Sequence, residues 1–162
     1  MIEAALMCLA LNIYFEARSE PIQGQIAIAE VTLNRVASEH YPNDVCGVVL
    51  QENSDGCQFS WWCDGKSDKP KENNSLRTSK ALAKLMLQEG DYITVVGKDA
   101  THYHTETIKP YWAKEFKKIK QVGKHIFYTM DKDKLLRPLP RPDNFEQIIQ
   151  NHKDNMVEKQ NY

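Results

Sequence analysis

The sequence predicts an α+β fold that is mainly helical and carries a small antiparallel sheet. Its 162 residues suit one compact domain, and a hydrophobic share of 41% with a charged share of 27% is ordinary for globular proteins. Apolar segments with helical spacing fill the first half of the chain. Short β-prone segments, punctuated by glycine and proline, follow in the second half.

Two helices are predicted at the start of the chain. Residues 3–18 are apolar on nearly all sides through Leu11 and contain no glycine or proline, which indicates a buried helix. Pro21 predicts a corner at residues 19–21, because proline disfavours helical geometry in the residue before it and suits the first turn of a helix. One face of the second helix carries the apolar side chains Ile22, Ile26, Ala29, Leu33 and Val36.

A short helix, a long loop and a fourth helix follow. Asp44 can cap a short helix that runs to Leu50. Residues 51–71 are rich in small polar and aromatic residues without periodicity, and structureless loops of this length are uncommon unless they serve a function. A helix over residues 75–89 ends at Gly90. Three of its side chains are predicted to face inward: Leu82, Leu85 and Met86.

Strands are predicted in the second half of the chain, over residues 92–96, 101–104 and 125–129, with Gly97, Pro110 and Gly123 as breaks. Residues 1–131 are expected to form the one main domain. Residues 132–162 add a stiff connector with three prolines over residues 136–142 and a last helix capped by Asp143 or Asn144. We expect that helix to pack on the same domain.

The four cysteines leave the pairing open. Cys8 lies within an apolar helical segment, which predicts a free buried thiol. The other three lie close together in sequence, so an oxidising compartment favours one disulfide, either Cys46 with Cys57 or Cys57 with Cys63.

The charge balance excludes several classes of protein. A formal net charge of −1 provides no overall attraction to nucleic acid or to an anionic membrane. The apolar segment at residues 4–11 lacks a preceding basic region, so we expect no signal peptide, and no segment is long enough to span a membrane. We expect no cofactor, no stable membrane association and a monomer.

Glu16 is the candidate catalytic residue, about one turn from the end of the first helix. By helical spacing it shares one side of that helix with Leu9, Asn12 and Ile13. Partly apolar surroundings and the negative end of the helix dipole both disfavour the carboxylate anion, so the Glu16 pKa should rise toward the range of a general acid. The alternative is an ordinary helix-end carboxylate that pairs with Arg18 or Arg35.

The long loop combines aromatic faces with amide and hydroxyl groups over residues 58–62, a mixture that suits sugars. We interpret it as one wall of a saccharide cleft, with these substrate-binding candidates: Gln58, Phe59, Ser60, Trp61, Trp62 and Asp64. The polar members, Gln58, Ser60 and Asp64, are the preferred contacts. The alternative is that Phe59 and one of the tryptophans belong to the core.

Two histidines share one side of a predicted strand. His102 and His104 are two residues apart, and with His125 they could form a zinc site, but no metal-binding signature accompanies them and we expect no metal. We expect His102 and His104 to form hydrogen bonds within or beside the cleft. Tyr103 then faces the core.

Ordered sequence segments carry a family resemblance. They are residues 10–21 (ALNIYFEARSEP), 24–27 (GQIA), 31–36 (VTLNRV), 41–42 (YP), 45–49 (VCGVV), 57–65 (CQFSWWCDG), 102–104 (HYH), 110–113 (PYWA) and 123–128 (GKHIFY). In this order they resemble the SleB-type cell-wall hydrolases, the family of spore-cortex-lytic enzymes. One departure is Ser19, where that family commonly has glycine.

The resemblance implies a lysozyme-like fold and cleavage of peptidoglycan between N-acetylmuramic acid and N-acetylglucosamine. The catalytic acid it implies is the glutamate of the Tyr-Phe-Glu-Ala-Arg segment, which is Glu16 in this chain. Tyr111, in the PYWA segment, joins the substrate-binding candidates. The family favours the lytic transglycosylase reaction, which needs one carboxylate and leaves 1,6-anhydromuramic ends.

Other functions are also compatible with the sequence. A hydrolytic muramidase needs a second carboxylate, for which Glu20 and Asp64 are the candidates, although Pro21 should turn Glu20 away from the Glu16 face. A non-catalytic peptidoglycan-binding module and a zinc amidase are further possibilities. Because the expected substrate lies outside the cytoplasm, we expect either a phage-type endolysin that is released from the cytoplasm or a shortened form of a secreted parent.

Overall fold

The structure, a computed structural model, describes residues 2–54 and 56–130. These residues include four helices: α1 (Ile2–Ala17), α2 (Ile22–Ala37), α3 (Val45–Val49) and α4 (Asn73–Glu89). The strands are β1 (Glu52–Asn53), β2 (Gly56–Cys57), β3 (His102–Thr105), β4 (Lys117–Val122) and β5 (His125–Thr129). Short 3-10 turns lie at Ser60–Trp62, Gly90–Tyr92 and Tyr111–Lys114. The predicted α+β class, mainly helical with a small antiparallel sheet, is confirmed.

α2 is the central helix of the fold. Its predicted inner face is confirmed at Ala29, Leu33 and Val36, which pack with α1 and α4 in one core cluster, but Ile22 is 48% exposed. The opposite face of α2 is also buried, because it packs in a second cluster against the sheet through Ala27, Ile28 and Val31. Because α2 is covered on both sides, it carries apolar residues on both faces. The single apolar face predicted from the sequence therefore underestimated how much of α2 is buried.

α3 and α4 agree largely with their predictions. The Asp44 side chain caps α3 by accepting a hydrogen bond of 2.6 Å from the backbone N–H of Gly47. In α4, Leu82 and Met86 are buried as predicted. The prediction for Leu85 was wrong, since it is 39% exposed at the edge of the face that Leu82 and Met86 define.

The predicted strand at residues 92–96 is absent. A 3-10 turn is followed there by a loop whose backbone N–H groups, from Val95, Val96 and Gly97, donate to the buried carboxylate of Glu30. These donors are therefore unavailable for a strand ladder. The acceptor belongs to α2 and lies 65 residues before Val95 in the sequence, so no local pattern reveals it.

The main sheet has the order β3-β5-β4, and both pairings are antiparallel. β3 and β5 confirm two predicted strands, and Tyr103 lies opposite Phe127 across them. β4 was not predicted. Its lysines are exposed, and an irregularity between Lys118 and Lys120 breaks the alternation by which half-buried strands are recognised.

Both disulfides lie among the helices and the long loop. Cys8 pairs with Cys46, so the prediction of a free Cys8 was wrong: packing of α1 on α3 brings the two Cα atoms to 5.3 Å. Cys57 pairs with Cys63, which confirms one of the two predicted alternatives and excludes the pairing of Cys46 with Cys57.

Within residues 2–54 and 56–130, no helix is both long enough and apolar enough to cross a membrane. The predicted connector and last helix over residues 132–162 lie outside the described residues. The proposed domain boundary at residue 131 therefore stays a prediction.

Candidate active site

Glu16 lies in the last turn of α1, and its carboxyl group is surrounded by protein atoms although the residue as a whole keeps an intermediate exposure. Desolvation by this burial raises the pKa of Glu16 from 4.5 to about 7. The Tyr103 hydroxyl and the positive charge of Arg35 oppose the rise. A carboxyl group with this pKa can hold a proton at neutral pH and still release it, as a general acid must.

Tyr103 brings the sheet to the end of α1. It packs against both core clusters, as the alternation of β3 predicted, and its hydroxyl oxygen is buried. This hydroxyl lies close enough to the Glu16 carboxyl to lower its pKa, although the two groups fall outside ideal hydrogen-bond geometry. Burial and the Glu16 charge raise the Tyr103 pKa well above its usual value, so the hydroxyl stays a proton donor.

Arg35 is a buried cation beside this pair. Its Nε donates a hydrogen bond of 2.8 Å to the backbone oxygen of Thr101, and its guanidinium carbon lies 5.0 Å from the ring centre of Tyr41 and 5.2 Å from that of Phe59. These contacts hold the charge near Glu16 without an ion pair. The charge favours the carboxylate that forms when Glu16 gives up its proton.

The alternative in which Glu16 pairs with a nearby arginine receives no support from the described residues. Arg18 instead lies 3.5 Å from the carboxylate of Glu72 and covers the ring of Tyr14. Arg35 donates to Thr101 from Nε and influences Glu16 through its charge.

The aromatic side chains of the long loop are anchors of that loop. Phe59, Trp61 and Trp62 are between 2% and 6% exposed, which agrees with the alternative that places Phe59 and one tryptophan in the core and extends it to both tryptophans. The Trp61 ring stacks on Phe15 at 4.8 Å, and its Nε1 donates to Asn12 at 2.9 Å. Both partners belong to α1, so the loop is fastened beside Glu16.

The three polar substrate-binding candidates of the loop lie at the surface. Gln58, Ser60 and Asp64 are exposed, as a substrate-binding role requires. The Asp64 side chain accepts a hydrogen bond of 2.9 Å from the backbone N–H of Lys66.

His102 and His104 lie on the face of β3 opposite Tyr103, because side chains alternate along a strand. Their rings contact Trp112 at 5.1 and 5.7 Å between centres, and His104 also bonds to the backbone oxygen of Thr105 and to Tyr128. The structure therefore does not bring these two histidines together with Glu16. Tyr111 is 85% exposed next to Trp112.

The three histidines do not converge on one point. His125 turns to the inner face of the sheet, where its Nδ1 donates to Glu20 at 2.8 Å. Among the described residues, Glu52, Cys57 and Cys63 are the group with metal-ligand spacing, and these cysteines form a disulfide.

Glu20 lies at the corner after α1, and its side chain is 9% exposed. One carboxylate oxygen accepts hydrogen bonds from the backbone N–H of Lys124 at 2.9 Å and from His125. Both partners lie more than 100 residues away in sequence, so only the tertiary structure reveals them.

Comparisons with known proteins identify relatives of this chain. A family model described as Cell Wall Hydrolase matches residues 19–128. The spore cortex-lytic enzyme of Bacillus cereus is 30% identical over 122 residues, which cover 75% of this chain and 43% of the relative. That of Bacillus subtilis (strain 168) is 34% identical over 119 residues, covering 74% of this chain and 35% of the relative. The chain thus spans less than half the length of these curated relatives.

Two solved structures share the fold. The catalytic domain of the Bacillus cereus SleB protein superposes with a TM-score of 0.60 at 27% identity and covers 78% of this chain and 91% of its own. The catalytic domain of the germination-specific lytic transglycosylase SleB from Bacillus anthracis gives 0.62 at 31% identity, with 78% and 95% covered. The family match includes Glu20, Tyr103 and His125 and begins three residues after Glu16. This chain belongs to the cell wall hydrolase family and is of the SleB type.

Proposed function

We propose that this chain cleaves the glycan strands of bacterial peptidoglycan between N-acetylmuramic acid and N-acetylglucosamine, as a lytic transglycosylase with Glu16 as its acid and base. The observation that carries the proposal is the desolvated Glu16 carboxyl, whose pKa of about 7 leaves much of it protonated at neutral pH. The name of the similar Bacillus anthracis domain, a lytic transglycosylase, favours the same reaction.

In the first step, Glu16 donates its proton to the oxygen that bridges the two sugars. The bond between this oxygen and C1 of the muramic acid breaks, and the acetylglucosamine leaves with a free hydroxyl group. Positive charge develops at C1, and the new Glu16 carboxylate lies where it can stabilise that charge.

In the second step, the Glu16 carboxylate takes the proton of the C6 hydroxyl group of the same muramic acid. The oxygen of that group then bonds to C1 and closes a 1,6-anhydro ring. Glu16 ends protonated, as it began, and no water is consumed. One carboxylate is sufficient for both steps.

Tyr103 and Arg35 suit this double role. Burial alone favours the protonated acid, whereas the Tyr103 hydroxyl and the Arg35 charge favour the anion that forms between the two steps. The opposing effects leave the Glu16 pKa close to neutral, where proton transfer in both directions is accessible.

The substrate contacts are assigned by exposure. Gln58 and Ser60 are the preferred candidates, because they are exposed in the loop whose Trp61 packs on Phe15 next to Glu16. Tyr111, His102 and His104 lie on or beside the face of the sheet opposite Tyr103, so a contact with sugar there requires a glycan strand that reaches that face.

Hydrolysis through a second carboxylate finds less support. The Glu20 carboxylate is nearly buried and already accepts two hydrogen bonds, which leaves it poorly placed to activate a water molecule. Asp64 is exposed and stays the remaining candidate for that role.

Mass spectrometry of digested peptidoglycan tests the proposal. The wild-type protein is incubated with vegetative cell walls and, because the relatives are named spore cortex-lytic enzymes, with spore cortex as well. We expect fragments with 1,6-anhydromuramic ends. Reducing muramic acid ends would indicate hydrolysis, and no release from either substrate would refute both reactions.

Glu16→Gln separates an enzyme from a binding module. We expect this variant to lose cleavage, by at least about a hundredfold if the acid step is removed, and still to sediment with peptidoglycan. Glu39→Gln, at an exposed glutamate after α2, is the matched control and should cleave like the wild type. A wild-type protein that sediments with the wall and never cuts it would identify a binding module.

A further inference from the structure

The corner after α1 is tied to the turn between β4 and β5 by one buried carboxylate. Glu20 Oε1 accepts from the Lys124 backbone N–H at 2.9 Å and from His125 Nδ1 at 2.8 Å, and the side chains of Glu20 and His125 are 9% and 5% exposed. The turn is shaped to receive this group. Gly123 has a φ of +57°, and a Cβ atom there would lie 2.8 Å from Glu20 Oε2, so glycine is needed for both the backbone and the space.

His125 connects this tie to the candidate active site. Its ring meets the ring of Tyr103 edge-on, with centres 5.3 Å apart, and Tyr103 carries the hydroxyl group that lies beside Glu16. Tyr103 and His125 lie on the same face of neighbouring strands. Contacts therefore lead from Glu20 through His125 and Tyr103 to Glu16, which links the corner after α1 to the candidate active site through the sheet.

We propose that Glu20 and His125 are positioning residues that hold Tyr103 against Glu16 and keep water away from the Glu16 carboxyl group. The inference rests on the proposed role of Glu16 as the acid, and neither positioning residue needs to touch the substrate. It assigns to Glu20 a task other than that of a second catalytic carboxylate.

The groups around Glu16 and His125 determine how the loss of these contacts changes the Glu16 pKa. Glu16 is faced by Tyr103 from β3 and by Arg35 from α2, and desolvation is the largest influence on its pKa. The Glu20 carboxylate contacts His125; burial lowers the His125 pKa, Glu20 opposes this, and the charge of His104, on the other face of the sheet, lowers it further. A neutral His125 whose Nδ1 donates to Glu20 is therefore the form present at neutral pH.

Loss of the Glu20–His125 hydrogen bond and loss of the Tyr103 hydroxyl should shift the Glu16 pKa in opposite directions. Without the Glu20–His125 hydrogen bond, water reaches the Glu16 carboxyl group, which relieves its desolvation and lowers the Glu16 pKa. Loss of the Tyr103 hydroxyl alone removes a group that favours the anion, which raises the pKa. A role in folding alone would produce neither shift.

The first test measures cleavage rates of peptidoglycan against pH. For Glu20→Ala we expect the alkaline limb to move down by about one pH unit, so that the rate falls about tenfold above pH 7 and little near pH 5. Tyr103→Phe should move the limb upward. Glu20→Gln should restore the wild-type profile, because its amide oxygen can accept from both Lys124 and His125, and Glu115→Ala, at an exposed glutamate, is the matched control.

The second test needs no activity. The Glu16 carboxyl carbon is titrated by NMR in free protein labelled with 13C-glutamate, with Glu16→Gln for assignment and near-ultraviolet circular dichroism for folding. We expect a lower pKa in Glu20→Ala and a higher one in Tyr103→Phe than in the wild type. If Glu20→Ala does not fold, Gly123→Ala takes its place, because the added methyl displaces the Glu20 carboxylate without removing a polar group.

The outcomes separate this inference from the proposed function. An unchanged Glu16 titration and an unchanged pH profile in the Glu20 variant would overturn the positioning role, even if the wild type cleaves peptidoglycan. Loss of cleavage in Glu20→Gln at every pH would overturn it too and would assign Glu20 as a second carboxylate. A shifted titration in a protein that cleaves no peptidoglycan would support the positioning role and refute the proposed function.

Discussion

Glu16 combines two requirements that conflict in water. A carboxyl group donates a proton well only if it keeps that proton at the working pH, and it serves as a base only if it can lose it. Burial at the end of α1 raises its pKa to about 7, and Tyr103 and Arg35 prevent a further rise. The chemistry proposed for this chain depends on that balance at one side chain.

The balance predicts how activity depends on pH. Since Glu16 must be protonated to act as the acid, the rate should fall as the pH rises through about 7. Clearing of a peptidoglycan suspension between pH 4.5 and 9, at constant ionic strength, measures this limb. A limb near the pKa of an ordinary, hydrated glutamate would contradict the burial of the carboxyl group.

The same pKa predicts a cost in stability. The folded state raises the Glu16 pKa above its value of 4.5, so it binds more protons than the unfolded chain between pH 4.5 and about 7. The stabilisation is fully present below the unfolded value and is lost as the pH rises through the folded one. At alkaline pH the loss reaches up to about 3 kcal/mol.

Glu16→Gln should therefore be more stable than the wild type at pH 8, by up to about 3 kcal/mol, and nearly equal to it at pH 4.5. Urea unfolding at both pH values measures the difference. Glu39→Gln, at an exposed position, should show no such gain. A Glu16 variant without any gain at pH 8 would mean that the native carboxyl group is well hydrated.

Single elements of the fold depend on acceptors that lie far away in sequence. The loop after α4 is held by Glu30 of α2, whose carboxylate accepts from Val95, Val96 and Gly97 at distances between 2.8 and 3.3 Å. Glu30 is 6% exposed, so these hydrogen bonds have little competition from water. The loop replaces a predicted strand because this carboxylate takes its donors.

Glu30→Gln tests that explanation. The amide has one acceptor oxygen where the carboxylate has two, so at least one backbone N–H loses its partner, and we expect a loss of roughly 2 kcal/mol in unfolding free energy. Urea denaturation at pH 7 gives the value, with the exposed Glu39→Gln as control. A loss no larger than that of the control would show that the N–H groups find other acceptors.

In the molecule as a whole, α2 separates two core clusters and the candidate active site lies where they meet. The larger cluster joins α1, α3 and α4 with the aromatic loop, and the smaller one joins α2 to the sheet. Tyr103 packs against both. The position of its hydroxyl beside Glu16 therefore depends on how the helical and sheet parts are assembled.

A shortened chain tests the predicted domain boundary. The described residues form both clusters, and the aligned 78% of this chain covers 95% of a solved catalytic domain. We therefore expect residues 1–131 alone to unfold cooperatively and to cleave peptidoglycan like the full chain. Calorimetry and the clearing assay compare the two. Loss of the cooperative transition would assign residues 132–162 to the core.

Local sequence patterns were sufficient for the elements whose reasons are local. α1 ends before the Pro21 corner, Asp44 caps α3, and β3 and β5 follow β-propensity. Local patterns failed where a distant partner decides, as for residues 92–96, which Glu30 holds. They also failed for Cys8, whose partner Cys46 is brought close only by helix packing.

For the candidate site, the sequence alone determined that Glu16 stands at the end of an apolar helix and that the chain resembles one family of wall-cleaving enzymes. Only the tertiary structure decided which groups surround that carboxyl, Tyr103 and Arg35, and that Glu20 pairs with His125 beside Tyr103. The tertiary structure also shows that Trp61 and Trp62 are buried and that His102 and His104 lie on the face of β3 opposite Tyr103. The physical reason is that desolvation and charge act through space, between residues up to 105 positions apart, whereas local periodicity reports only on neighbours in the chain.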